Sequence, residues 1–148
     1  MIIIYKGYFY SNEKKALENA KEEFLKFFNI SRNFLFFLHS VSEEESEKLN
    51  IHYFKKYSPT DVLTIPLYKN VSEIYKLNEQ NREVLGDLFI NRKLIKNNAL
   101  QYEKTMSEEL QLVLIHGLLH LVGYSHENGD RLKMIENKIL NKVWNNGK

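Results

Sequence analysis

The stretch from Leu110 to Asp130, LQLVLIHGLLHLVGYSHENGD, constrains this chain more than any other. Three of the five histidines, His116, His120 and His126, fall inside it as H-x3-H-x5-H, with Gly123 between the second and the third. On a helix, residues four apart lie one above the other with Cβ atoms about 5–6 Å apart, so His116 and His120 can each offer an imidazole nitrogen to one metal ion. A glycine three residues further on ends the helix in a left-handed conformation. The Gly123-Tyr124-Ser125 turn then brings His126 in from outside the helix as a third ligand. Leu112, Val113, Leu114, Ile115, Leu118, Leu119, Leu121 and Val122 make the helix apolar nearly all round, the pattern of a buried helix. Buried imidazoles need partners, and a metal supplies them; for any one histidine taken alone, a satisfied core residue is the ordinary alternative. With 5 histidines in 148 residues, the triple spacing arises by chance about 4 times in 100,000 at a given start, or about half a percent over the whole chain. The spacing therefore reads as a site.

Three neutral nitrogens and no thiolate suit zinc, one ion per chain, with nickel, copper and iron as alternatives. A fourth position left to water distinguishes a catalytic site from a closed structural one. His39 and His52 lie in other segments without a spacing signal and read as surface or capping residues. The same frame occurs in zinc proteases of the metzincin type, where a Glu after the first His is the general base. Here that residue is Gly117, which cannot take a proton, so a zinc-dependent peptidase stands only as an alternative. Asp61 and Asp87, at or beside strand ends, are candidates for carboxylates that orient a ligand histidine, or for turn residues.

The run His116 to His126, HGLLHLVGYSH, resembles the signature of the YbeY family of bacterial endoribonucleases, H-G-x-L-H-L-x-G-Y-D-H, and differs from it only at Ser125. Leu49-Asn50 followed by Tyr53, then Pro59-Thr60-Asp61-Val62-Leu63-Thr64, then Gly86-Asp87-Leu88-Phe89-Ile90 are similar to the family's other blocks in the same order. The resemblance covers roughly Leu49 to the end of the chain. It implies a metal-dependent endoribonuclease that processes ribosomal RNA toward the 3′ end of the small-subunit species and acts in small-subunit maturation and quality control. Ribosomal RNA and the small ribosomal subunit are then the partners, and a non-catalytic assembly factor with a structural metal is the rival. His116, His120 and His126 would act through the bound metal, with the general base left open. The arginine that usually follows the family's tyrosine is Phe54 here, with Lys55 and Lys56 next in line. Either lysine supplies charge for a phosphate without the bidentate fork of a guanidinium. Ser125 in place of aspartate removes a carboxylate from the loop.

A chain of 148 residues, 43% apolar and 27% charged, is expected to form one domain, 1–148, large enough to bury a core. The expected fold class is α+β, a small mixed sheet of about four strands packed with helices around the histidine helix. Strands are expected at Met1–Tyr10, Asn33–Ser40, Val62–Tyr68 and Val84–Asn91, with Gly86 a bulge or close-approach position. The apolar run NFLFFLHS should be covered on both faces. Helices are expected from Ser11 through Leu17, Ala20, Phe24, Phe27 and Phe28, from the Ser42/Glu45 capping box to about Tyr53, and over Lys93–Tyr102. The Thr105/Glu108 capping box starts the histidine helix, whose first half reads as acidic and exposed, and Asp130 opens a last helix with Leu132, Ile135, Ile139 and Val143 on one stripe. Lys69–Glu83 reads as a loop or hairpin, and Tyr53-Phe54-Lys55-Lys56-Tyr57 equally as an RNA-holding stretch or a solvated loop. A net charge of +2 does not by itself argue for nucleic acid. No apolar run approaches a membrane span, the first residues lack a signal-peptide pattern, and there is no cysteine. A cytoplasmic chain without membrane or disulfide-linked partners is the expectation.

Overall fold

A computed structural model describes residues 1–145. In chain order the elements are β1 (Ile2–Lys6), α1 (Ser11–Phe28), β2 (Leu35–Val41), α2 (Glu43–Phe54), β3 (Val62–Pro66), α3 (Val71–Tyr75), β4 (Val84–Asn91), α4 (Arg92–Gln101), α5 (Met106–Leu121), a single 3-10 turn (His126–Asn128) and α6 (Asp130–Asn145). The strands form one mixed sheet in the order β1-β2-β4-β3. β1, β2 and β4 run parallel, and β3 pairs antiparallel with β4 at the edge. Parallel neighbours need a long crossover, which α1 supplies between β1 and β2.

The sheet is α+β as expected, but its two faces differ. Phe36 and Leu38 on β2, with Leu88 and Ile90 on β4, are buried and join the core built by α1, α5 and α6. Leu35, Phe37, His39, Asp87 and Phe89 on the opposite face are only half-buried. The run NFLFFLHS is therefore covered fully on one face, not on both. Its apolar continuity reflects aromatic residues that shield part of an otherwise thinly covered face. β1 stops at Lys6, and Gly7 to Tyr10 lead into α1, whose first turn is closed by Glu13 accepting from the Tyr10 amide at 2.9 Å. Phe27, although on helical spacing with the α1 core residues, is exposed.

α5 is the central helix, and its first half is not the exposed acidic segment that its composition suggests. Glu109 and Gln111 are buried. Gln111 uses both ends of its amide: Nε2 donates to the Ala16 carbonyl on α1 at 3.0 Å, and Oε1 accepts from the Trp144 indole on α6 at 3.0 Å. A buried amide satisfied at both ends ties three helices together. Burial pushes the Glu109 carboxyl above its ordinary range, with Lys104 nearby to hold it at 3.9 Å. The segment Lys69–Glu83 also holds more than a loop. Asn70 accepts from the Glu73 amide at 3.0 Å and Glu73 accepts from the Lys69 amide at 2.8 Å, which starts the one-turn helix α3.

Where α5 crosses the sheet, the backbones approach too closely for side chains. A Cβ on Gly117 would lie 2.6 Å from Leu88 Cδ2 and 3.1 Å from Val62 Cγ2, and the Gly117 carbonyl accepts from the Thr64 hydroxyl at 3.2 Å. Position 117 thus faces the sheet. On β4, a Cβ at Gly86 would meet the Ile65 carbonyl at 2.4 Å and Leu121 Cδ1 at 2.8 Å, beside a register irregularity opposite Leu35–Phe37. Both readings of Gly86, bulge and close approach, hold.

Candidate metal centre

Helix α5 carries His116 and His120 one turn apart near its C-terminal end, and the helix stops at Leu121. Gly123 then takes φ +101, the Gly123 amide donates to the His120 carbonyl at 3.0 Å and the Tyr124 amide to the Leu119 carbonyl at 2.9 Å. Only glycine fits there, because a Cβ would lie 2.4 Å from the Lys69 carbonyl oxygen and 2.7 Å from Asn70 Cα. The turn delivers His126 to the start of the 3-10 turn. The ring centroids stand 4.6 Å apart for His116–His120, 5.3 Å for His120–His126 and 5.8 Å for His116–His126. One nitrogen from each ring lies within 4.8 Å of the others.

The hydrogen bonds fix which nitrogen of each helical histidine is free. His116 Nδ1 donates to Glu136 Oε2 at 2.7 Å, and His120 Nδ1 donates to the Tyr124 carbonyl at 2.8 Å. Each ring therefore carries its proton on Nδ1 in the neutral state and presents an Nε2 lone pair. Those two Nε2 atoms face each other at 3.0 Å. Two lone pairs so placed repel unless a cation or proton sits between them, so the donor set fits a metal ion. Burial, and next the neighbouring His116, hold the His120 imidazolium pKa below its ordinary value, which favours the neutral ligand form. Burial would raise the Glu136 carboxyl, but the His116 hydrogen bond and the charges of His116 and Lys133 outweigh it and hold it below the ordinary carboxylate value. Lys133 Nζ holds the other oxygen at 3.2 Å.

The cluster opens into a cavity of about 770 Å³ whose walls include Phe54, Lys56, Tyr68 and Lys69. Asn50 and Ser46, both buried on α2, hold the wall loop: Asn50 Nδ2 donates to the Ser58 carbonyl at 2.7 Å and the Ser46 hydroxyl to the Thr60 carbonyl at 2.9 Å.

His116, His120 and His126 come together as the spacing requires. Of the two lysines, Lys56 lines the cavity, whereas Lys55 is the left-handed C-cap of α2 at φ +57 and is not among its walls. Asp61 lines the main cavity and also borders a smaller one of about 130 Å³ beside His116 and Glu136, and its Oδ1 accepts from the Val62 amide at 2.8 Å. Asp87 does not reach a histidine of the cluster. Its Oδ1 accepts from His39 Nε2 at 2.8 Å on the half-open sheet face, where the His39 ring stacks on Phe89 at 4.3 Å. His39 is therefore a paired sheet residue, not a surface or capping one, and the carboxylate behind a cluster histidine is Glu136. Its signal in the sequence is a carboxylate on the same α6 face as Leu132, Ile135, Ile139 and Leu140. Changing Glu136 to Gln should weaken metal affinity about 10- to 100-fold, measured by competition with a chromogenic chelator, because the amide holds His116 without its charge.

Comparison with known proteins places these features in context. The family model described as Endoribonuclease YbeY matches residues 8–143. The chain is 39% identical to the Endoribonuclease YbeY of Buchnera aphidicola subsp. Acyrthosiphon pisum over 103 residues, 68% of this chain and 62% of that protein. It is 35% identical to the Endoribonuclease YbeY of Thermotoga sp. strain RQ2 over 138 residues, 88% of this chain and 82% of that protein. It thus spans less than two thirds of the Buchnera relative and most of the Thermotoga one. The solution structure of TM1509 from Thermotoga maritima superposes with a TM-score of 0.62 at 28% identity, covering 98% of this chain and 91% of that one.

Proposed function

The chain belongs to the YbeY endoribonuclease family, and on that premise we propose that it is a zinc-dependent endoribonuclease that cuts unpaired ribosomal RNA. The observation that carries this reading is the pair of Nε2 lone pairs converging at 3.0 Å in an open cavity. His116, His120 and His126 would hold one zinc ion per chain. When bound, such an ion supplies Lewis-acid stabilisation of phosphate charge and lowers the pKa of a water molecule.

The chain's own residues have separate tasks. Glu136 and the Tyr124 carbonyl fix the rings of His116 and His120, Lys56 and Lys69 neutralise phosphates along the cavity walls, and Asn50 with Ser46 keeps the Lys56 wall in place. The peptidase alternative is disfavoured by packing: position 117 faces Leu88 and Val62, so a glutamate there would meet the sheet before it could serve as a base. Unpaired RNA is the better substrate because a rigid A-form duplex hides the in-line geometry that phosphodiester attack requires. The biological substrate in this reading is the 3′ end of the small-subunit ribosomal RNA, met on the precursor small subunit in the cytoplasm. No helix among the described residues is long and apolar enough to cross a membrane.

Purified precursor small subunits incubated with wild-type or His120→Ala protein test the proposal. Sequencing of RNA 3′ ends should show maturation with the wild type and none with the variant. Equal maturation with both would favour an assembly factor that acts without cutting.

A further inference from the structure

We propose that Phe54 is the platform on which one base of the RNA strand stacks beside the histidine cluster, an inference that rests on the RNA-cleaving reading above. Phe54 is the last residue of α2 and is 47% exposed, yet it belongs to the cavity wall and not to the hydrophobic core. Phe54 thus presents an open aromatic face to the same cavity that His116, His120 and His126 line. Base faces are the ligand chemistry such a ring fits, since every nucleobase offers a π-face.

The rest of the wall suits the same occupant. Lys55 adopts the left-handed conformation that ends α2, so the residue that follows the turn, Lys56, comes to line the cavity together with Phe54. Lys69, immediately after Tyr68, lines the same cavity. An aromatic face and cations within one cavity are the means by which proteins grip a single strand, the cations following the backbone and the ring taking a base. The platform is also rigid, because Asn50 and Ser46 anchor the loop after α2 to the helix itself. Stacking of this kind is tolerant of sequence, so Phe54 sets which nucleotide is seated near the metal without selecting its identity.

Equilibrium binding of a fluorescent single-stranded RNA to the zinc-loaded full chain, read on ice before any cleavage is visible on a gel, tests the proposal. Phe54→Ala should weaken binding about 5- to 150-fold, the range for loss of one stacked base. Phe54→Trp should keep wild-type affinity, and its indole emission should be quenched by RNA above the background of Trp144, the one tryptophan of the natural chain. The slope of log affinity against log salt should stay unchanged in Phe54→Ala and should flatten in Lys56→Ala/Lys69→Ala, because only the lysines release counterions. Equal affinity of wild type and Phe54→Ala for the RNA overturns the platform while leaving the nuclease reading in place. If the wild type neither binds nor cuts single-stranded RNA, the premise falls with it.

Discussion

Protein carrying both His116→Ala and His120→Ala should retain no zinc after dialysis and should cut RNA no faster than buffer does. Only His126 would remain of the three donors that lie within 4.8 Å of one another, and a single exposed imidazole does not hold the ion against water. The thermal melt gives an independent readout. Zinc at about 100 times its dissociation constant stabilises a native protein that binds it by about 2.7 kcal/mol, so the wild-type melting temperature should rise on zinc addition and that of the double variant should not. Without metal, the double variant should be the less stable protein by about 1–3 kcal/mol, since Glu136 keeps Lys133 but loses the His116 hydrogen bond while still buried. A double variant that still melts higher with zinc would place the ion elsewhere.

Gly117→Glu should unfold the protein or lower its stability by about 4 kcal/mol or more, from overpacking against Leu88 and Val62 together with burial of an unpaired carboxylate. That is a large part of the roughly 5–15 kcal/mol that holds a typical domain. Gly117→Ala is the gentler control: the gain of about 1 kcal/mol in helix propensity offsets only part of the roughly 1–3 kcal/mol cost of pressing a Cβ on the buried Leu88, so a loss of up to about 2 kcal/mol is expected. Urea midpoints for the three proteins measure both effects. A Gly117→Glu protein as stable as the wild type, and able to hydrolyse casein, would show that position 117 can reach the metal side of the helix after all.

The histidine cluster is legible in the sequence because it is local. A helical i, i+4 pair, a glycine turn and a third histidine lie within eleven residues, and backbone geometry alone brings them together. Glu136 lies 20 residues from His116 and meets it only when α6 packs on α5, so periodicity placed it on a buried stripe without naming its partner. Asp87 failed as a guide for the same reason in reverse. Its partner depends on strand order and register, which set β2 beside β4 and bring His39 to Asp87 across the sheet. At the end of α2 the local signal was real but too coarse. Two adjacent lysines look alike in sequence, and the left-handed cap at Lys55 separates them, leaving Lys56 in the cavity wall. The acidic composition at the start of α5 points to solvent, whereas Gln111 bonded to Ala16 and Trp144 draws the helix inward, a long-range network that composition does not carry.

The central claim is that RNA cutting depends on one zinc ion held by the three histidines. Chelator-stripped wild-type protein, titrated with zinc from zero to two equivalents and assayed at each step on a labelled single-stranded RNA, tests it most directly. The cleavage rate should climb in proportion to zinc and level off at one equivalent per chain, with no cleavage at any point for the His116→Ala/His120→Ala protein. A rate that is the same for stripped and loaded wild type, or that the double variant matches, would contradict it.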